Sequence, residues 1–133
     1  MEGINMMAVV VSTIVLFAIG AMWYSPVLFA NAWMKACGFT EKDLEGANMA
    51  KIFGTAFVFM FVMTFCLAMY YANSNFTIAQ GAQYGFYTGF GWMAPAIGVG
   101  ALFERRPWAY TFIHGGYYIV GMTVVGAILR AWV

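Results

Sequence analysis

Apolar residues dominate four long runs of the chain, and polar residues concentrate between them. The runs cover residues 4–24, 52–72, 78–103 and 108–132. Each is long enough to cross about 30 Å of hydrocarbon, which takes about 20 helical residues. Backbone groups cannot go unpaired in lipid, so each run is predicted to be a transmembrane helix. We expect an all-α membrane protein, a bundle of four transmembrane helices in a single domain spanning residues 1–133.

The composition supports this class. Of 133 residues, 64% are hydrophobic and 8% are charged, whereas a soluble domain carries about 25% charged residues. Because so few charged residues cannot give a globule of this size a hydrated surface, lipid is expected to surround most of it. The bilayer is the expected partner, and we expect no nucleic acid. The first run lacks a preceding basic segment, so we expect it to remain as a span.

The segment WYSPVLFANAWMKACG follows the first run. Trp23 and Tyr24 are typical of residues that anchor a helix at the membrane interface. Ser25 followed by Pro26 predicts that a helix restarts here, since Ser caps and Pro suits the first helical position. We therefore predict a short interfacial helix over residues 26–37. The alternative is that this segment extends the first span beyond a kink.

The predicted interfacial helix is amphipathic. Asn31, Lys35 and Gly38 follow one another at i, i+4 and i+7 on an otherwise apolar helix, so this stripe should face water. Gly38 also predicts the end of the helix. Thr40 and Asp43 then resemble a capping box that opens the next helix. Phe39 and Leu44 are predicted to form a hydrophobic staple at the same helix start, where Glu41 and Asp43 make the first turn acidic. Gly46 is the position where we expect this segment to bend.

The distribution of basic residues predicts the orientation. Five basic side chains lie between spans one and two or between spans three and four: Lys35, Lys42, Lys51, Arg105 and Arg106. The opposite side has only Arg130 besides the terminal amine. The positive-inside rule then puts both charged loops in the cytoplasm and both termini outside. Together with Trp23 and Tyr24, the predicted interface anchors are Trp33, Arg105, Arg106 and Trp108.

The third run contains the sequence's clearest packing pattern. Gly81, Gly85 and Gly89 recur every four residues, which predicts a face that another helix approaches closely. Beside this face run Gln80, Tyr84, Tyr87 and Thr88. Polar groups in lipid normally turn toward protein, so this stripe is expected to face the bundle interior. Pro95 cannot bond back to the carbonyl of Gly91, which predicts a kink there.

The fourth run holds the chain's only histidine, in FIHGGYYIVG. His114 and Tyr118 share one helical face and lie at a depth similar to that of Gly91 and Pro95. We expect a polar cluster near this point, with Tyr84, Tyr87 and Trp92 as further candidate ligand-binding residues. Two interpretations remain: a neutral histidine that serves helix packing, or an ionisable group that marks a ligand path.

Several chemistries are disfavoured by the residue content. The spans contain no Asp or Glu, and two Cys with one His are too few for a structural zinc site. The single histidine has no carboxylate nearby in sequence with which to build a catalytic triad. We therefore predict no enzyme activity, no metal site and no bound cofactor.

Two segments carry a family resemblance: WYSPVLFANAWMKACGFTEKDL and LFERRPWAYTFIHGGYYIVGMTVVGAIL. They resemble a family of small bacterial four-span membrane proteins known only as a domain of unknown function. The resemblance covers nearly the whole chain and implies a multi-pass protein of the bacterial inner membrane that forms a stand-alone domain. It implies no activity and no catalytic residue.

Three functional hypotheses follow. The first is a non-enzymatic membrane protein that forms a homo-oligomer through its glycine faces and binds or passes a small or lipidic ligand. The second is a redox protein in which His114 is an axial haem ligand. The third is an accessory subunit of a larger membrane complex.

Overall fold

The computed structural model describes residues 4–40, 42, 49–72 and 74–132. Within them all regular secondary structure is helical. The helices are α1 (Met6–Trp23), α2 (Ala30–Cys37), α3 (Met49–Tyr71), α4 (Ile78–Phe103) and α5 (Trp108–Ala131). All except α2 contain a stretch long and apolar enough to cross a membrane. The prediction of an all-α protein with four apolar spans and a short helix after the first is confirmed.

The start of α2 differs from the prediction. Residues 26–29 form turns, in which the N–H groups of Leu28 and Ala30 both donate to the carbonyl of Ser25 at 3.0 and 3.1 Å. The Ser25 hydroxyl donates back to Met22 at 2.6 Å and therefore does not cap α2. The predicted restart at Pro26 is wrong, because these turns consume four residues before the helix begins.

The predicted end of α2 is confirmed. Gly38 adopts the left-handed conformation with φ +73°, which lets the N–H of Phe39 reach the carbonyl of Met34 at 2.8 Å. Asn31 and Lys35 are exposed on this helix, as the polar stripe predicts. The capping box and staple predicted around Thr40 depend on Glu41, Asp43, Leu44 and Gly46, which lie outside the described residues.

Helix α5 packs against α1, α2, α3 and α4. The buried apolar core lies between α1, α3 and α5, with Leu16, Tyr117, Met122 and Val125 all at most 2% exposed. Between α1 and α3 the hydroxyls of Thr13 and Thr64, both fully buried, share a hydrogen bond of 2.7 Å. This bond satisfies two polar side chains that lipid could not solvate.

The two ends of the bundle are defined by contacts between distant segments. Arg106 Nη1 donates to the carbonyl of Cys37 at 3.3 Å, so the α2 segment and the α4–α5 turn lie at one end. Asn5 Nδ2 donates to the carbonyl of Trp132 at 3.1 Å, so the beginning of α1 and the end of α5 lie at the other. The basic residues Lys35, Arg105 and Arg106 therefore share one end.

The interruption predicted near Pro95 takes the form of a π-helical turn at Gly89–Met93. Here the N–H of Ala94 donates to Gly89, five residues back. Because Pro95 has no N–H, it cannot donate to Gly91 as a regular α-helix would require. The π turn lets α4 continue to Phe103 despite that missing donor.

Candidate functional site

The glycine face of α4, formed by Gly81, Gly85 and Gly89, lies directly against α5. A Cβ atom on Gly85 would overlap the carbonyl of Met122, and one on Gly89 would lie 2.6 Å from the carbonyl oxygen of Tyr118. From the other side, a Cβ on Gly126 would overlap the backbone of Gly81. The two backbones therefore touch, and neither helix can accept a side chain here.

This contact corrects the interpretation that assigned the glycine face to a homo-oligomer. Gly81, Gly85 and Gly89 are all buried within one chain. A second copy of the protein would have to use another surface. The glycine pattern indicates close approach of a helix, but it carries no information on whether that helix belongs to the same chain.

The polar stripe beside the glycine face is turned outward, so the prediction that it faces the interior is wrong. Tyr87 is 50% exposed, Gln80 and Tyr84 are exposed, and Thr88 is half-buried; the neighbouring Gln83 is exposed as well. Their polar groups bond locally: Gln83 Nε2 donates to the Tyr87 hydroxyl at 2.8 Å, and Thr88 Oγ1 donates to the carbonyl of Tyr84 at 2.9 Å. Packing of the glycine face on α5 forces the opposite side of α4 away from the core.

The other α4 residues predicted near His114 also lie elsewhere. Trp92 is 79% exposed, Pro95 is exposed, and nothing stands within 4 Å of where a Cβ on Gly91 would be. Tyr84 stacks on Phe76 with ring centroids 4.5 Å apart. Tyr84, Tyr87 and Trp92 therefore do not form one site with His114.

The structure joins His114 to Tyr24 instead. The Tyr24 hydroxyl lies 2.6 Å from Nδ1 of His114, across 90 residues of sequence. Tyr110, one turn before His114 on α5, packs edge-on against the imidazole with ring centroids 4.4 Å apart. The residue after the first span is thus bonded to the one histidine of the last span.

More aromatic side chains surround this pair. Tyr117 is only 2% exposed; its ring lies 5.7 Å from that of Tyr24 and 4.9 Å from that of Tyr118. Its hydroxyl donates to the carbonyl of Leu16 at 2.7 Å. Trp33 of α2 packs edge-on against Tyr24 at 6.0 Å. We call Tyr24, Tyr110, His114, Tyr117 and Tyr118 the aromatic cluster.

Trp23 also turns toward α5. Its indole N–H donates to the carbonyl of Ile113 at 2.9 Å, and its ring occupies the space left by Gly116, where a Cβ would lie 3.1 Å away. Trp23 and Tyr24 are therefore half-buried packing residues rather than side chains that only anchor α1 to lipid. Among the other predicted anchors, Trp108 and Arg105 are exposed.

The electrostatics of the cluster favour neutral groups. Burial, reinforced by the neighbouring Tyr118 and Tyr117, raises the pKa of the Tyr24 phenol well above its ordinary value. The phenol therefore keeps its proton and can donate it to Nδ1, which leaves the imidazole N–H on Nε2. Nearby, burial raises the pKa of the Cys37 thiol, and the Arg106 guanidinium partly opposes that shift.

This arrangement is suited to holding helices together. It links α1 and Tyr24 to α5 through one side-chain hydrogen bond and two bonds to backbone carbonyls. Trp33 adds α2 by packing against Tyr24. Within residues 4–40, 42, 49–72 and 74–132, no three His, Cys, Asp or Glu side chains gather as metal ligands. The contacts of His114 lend no support to the haem hypothesis.

Comparison with known families matches nearly the whole chain to one family. Residues 7–130 match the family described as protein of unknown function, DUF1761. The chain belongs to the DUF1761 family. No match is found among curated proteins or among solved structures. The DUF1761 match includes both the Tyr24 segment and the His114 segment, so the aromatic cluster lies wholly inside the family domain.

Several contacts in the structure were not predicted from the sequence. Arg130 Nε donates to the carbonyl of Phe76 at 2.8 Å, and the Tyr71 hydroxyl donates to Gly81 at 2.6 Å. At the start of α4, Thr77 and Gln80 form a reciprocal capping box. Only the capping box had a local sequence signal, the T-x-x-Q spacing. The other contacts join residues with no sequence pattern between them.

Proposed function

We propose that this protein is a non-enzymatic, multi-pass protein of the bacterial inner membrane that works as a homo-oligomer through the outward side of α4. The observation that carries the proposal is a mismatch between polarity and burial. Of the four spans, α4 has the lowest mean hydropathy, yet only 11% of its most apolar 18-residue window is buried, against 44% for α5. A polar span normally turns inward.

The exposed surface of α4 is chemically distinct from that of a lipid-facing helix. We define the outer face as Gln83, Tyr84, Tyr87, Phe90, Gly91 and Trp92. By comparison, α3 is also little buried, but most of its exposed side chains between residues 52 and 69 are apolar: Ile52, Phe53, Val58, Phe59, Val62 and Met69. Hydrocarbon solvates those side chains without cost. It cannot solvate an amide such as that of Gln83, so a protein partner is the more stable cover for the outer face.

A second copy of the chain suits this face. The α4 sequence contains no charged residue, so two copies would not repel each other. The amide of Gln83 and the hydroxyl of Tyr87 both donate and accept hydrogen bonds, so the same patch can pair with itself across a two-fold axis. Gly91, with open space around it, would allow the two backbones to approach.

This assembly also changes where a ligand would bind. Tyr84, Tyr87 and Trp92 would lie between subunits, whereas the half-buried His114 and Tyr118 pack against aromatic rings of their own chain. We therefore propose that any small or lipidic ligand contacts the subunit interface. The aromatic cluster then serves to fix α1 and α2 on α5.

The proposed orientation keeps both charged loops in the cytoplasm and both termini outside. It is supported by the contact between Arg106 and Cys37, which brings the basic segments to one end, and by the positive-inside rule. The bacterial inner-membrane setting rests on the resemblance of the WYSP and FIHGGYY segments to small bacterial membrane proteins.

Native mass spectrometry of the detergent-purified protein tests the proposed assembly. We expect the wild-type protein to have the mass of two or more chains. Gly91→Trp should reduce the mass to one chain, because a large side chain at this exposed position, where a Cβ has open space, would separate the outer faces. Val62→Trp on the exposed side of α3 is the matched control and should leave the mass unchanged.

A wild-type mass of one chain would contradict the proposal, as would a mass that Gly91→Trp does not alter. Co-purification of a different protein in equal amount, without self-association, would instead favour an accessory subunit of a larger complex.

A further inference from the structure

A cavity of about 210 Å³ opens at the end of the bundle where the first and last residues of the described chain meet. It lies between the start of α1 and the ends of α3 and α5. Its lining includes Asn5, Ala68, Tyr71, Arg130 and Trp132. The small side chains of Ala8 and Ala68, both at most 5% exposed, leave room where larger residues would close the core.

One basic side chain is fixed at this cavity. The stem of Arg130 crosses the glycine face at Gly81, and its Nε donates to the carbonyl of Phe76 at 2.8 Å. A guanidinium carries five N–H donors, and this bond uses one. The cavity's neutral polar groups are committed elsewhere: Tyr71 donates to Gly81, and Asn5 bonds Trp132 and the first N–H groups of α1.

The cavity is located at headgroup depth. Arg130 is in the last turn of α5, and Trp132 follows the helix, so both stand at the boundary between hydrocarbon and water. The volume is below the roughly 300–1,000 Å³ of a pocket for a drug-sized molecule. It suits a small anionic group attached to an apolar remainder, which the wall of Ile4, Ala8 and Leu129 can contact.

We propose that this cavity binds the phosphate group of an anionic molecule, with Arg130 as the recognising side chain and the apolar wall accepting the attached carbon chain. Arginine suits this role because its planar fork matches phosphate oxygens. The ligand class follows from one cation, no carboxylate among the lining residues, and a mixed polar and apolar lining. This inference requires the membrane setting but not the oligomer.

The test measures binding to the detergent-purified full chain by native mass spectrometry with three probes. Dioctanoyl phosphatidylglycerol carries the phosphate and two short chains, dioctanoylglycerol lacks the phosphate, and inorganic phosphate lacks the chains. We expect the phosphatidylglycerol to bind and the dioctanoylglycerol to bind at least about tenfold more weakly, as the loss of a charge-assisted contact implies. Binding of inorganic phosphate at similar strength would support a free-anion site with the same recognition.

Two variants locate the bound probe. Arg130→Gln should weaken phosphatidylglycerol binding at least about tenfold, and Ala68→Leu should abolish it by filling the cavity while leaving the contact between Arg130 and Phe76 in place. Arg105→Gln, at the opposite end, is the matched control and should bind normally. Equal binding of the two lipid probes, or normal binding by Ala68→Leu, would overturn the proposal even if Arg130→Gln failed to fold.

Discussion

The two faces of α4 differ in the size of their side chains and in what they pack against. The glycine face carries no side chains and packs its backbone directly on α5. The outer face carries large aromatic and amide side chains, and Trp92 is 79% exposed there. One side of the helix is complete within a single chain, whereas the other presents polar groups that neither the chain interior nor hydrocarbon accommodates.

The difference shows that small residues and polar residues carry distinct information in a membrane helix. Glycines at four-residue spacing mark where a backbone must approach, and in this chain the nearest helix along the sequence, α5, already fills that place. Polar side chains mark where lipid is a poor solvent. Because the two patterns lie on opposite faces of α4, we expect a second protein contact for this helix, outside the monomer.

The largest expected effect distinguishes the faces by stability. Gly85→Ala should lower the free energy of unfolding by about 3 kcal/mol, because the added methyl group overlaps the carbonyl of Met122. Gly91→Ala is the matched control on the outer face. It should leave stability unchanged or raise it by up to about 1 kcal/mol, since alanine favours helix over glycine. Reversible unfolding in mixed detergent micelles measures both, and equal losses would contradict the assignment of the faces.

The next effect concerns the N-terminal part of α5, before its contact with the glycine face. There a side chain of α5, His114, bonds Tyr24 at the end of α1. Tyr24→Phe should cost about 1 kcal/mol, because Nδ1 of His114 loses its hydrogen bond. In a His114→Phe background the same change should cost almost nothing. This double-mutant cycle isolates the bond, and additive losses would show that Tyr24 acts only through its ring.

A similar loss is expected for the hydroxyl that supports the glycine face. Tyr71→Phe removes the donor to the carbonyl of Gly81 and should cost about 1 kcal/mol, since Tyr71 is buried. Tyr87→Phe on the outer face removes a hydroxyl bonded only to exposed Gln83. The Gly91→Trp background, which is expected to be a single chain, separates folding from association. In it, Tyr87→Phe should change the free energy of unfolding by less than about 0.5 kcal/mol. Equal costs for the two hydroxyls would remove the distinction between the faces.

The smallest effect should appear in association rather than folding. Gln83→Leu should weaken self-association by about 0.6 kcal/mol, or roughly threefold, which is typical of one polar contact between helices in a membrane. Thr55→Val on α3, also exposed, is the matched control and should have no effect. Dilution of fluorophore-labelled protein measures the dissociation constant, and an unchanged constant for Gln83→Leu would argue that its amide faces lipid.

Much of the fold could be predicted from the sequence, because each span is a local property of about 20 residues. The end of α2 at Gly38 was predictable for the same reason, since one residue in the left-handed conformation terminates a helix. The start of α2 was not. The Ser25 hydroxyl bonds the carbonyl of Met22 instead of capping α2, and the Ser25 carbonyl accepts the bonds that form the turns after Pro26. The sequence does not show which of these competing local bonds forms.

The candidate site was less predictable because its bonds cross the whole chain. Trp23 and Tyr24 match the general pattern of interface anchors, and their sequence neighbours give no sign of His114. The outward polar stripe was missed for a different reason. The rule that polar residues turn toward protein does not say whether that protein is the same chain or another, so it could not fix the direction of this stripe.

Cysteine cross-linking measures which side of α4 meets a second copy. Gln83→Cys would be introduced in a Cys37→Ser and Cys66→Ser background and oxidised in membranes. Cys66 of the natural sequence, exposed on α3, provides the comparison in a Cys37→Ser background. We expect a covalent dimer through position 83 and none through Cys66. Cross-linking through Cys66 alone, or through neither position, would contradict the claim that the outer face of α4 is the surface of assembly.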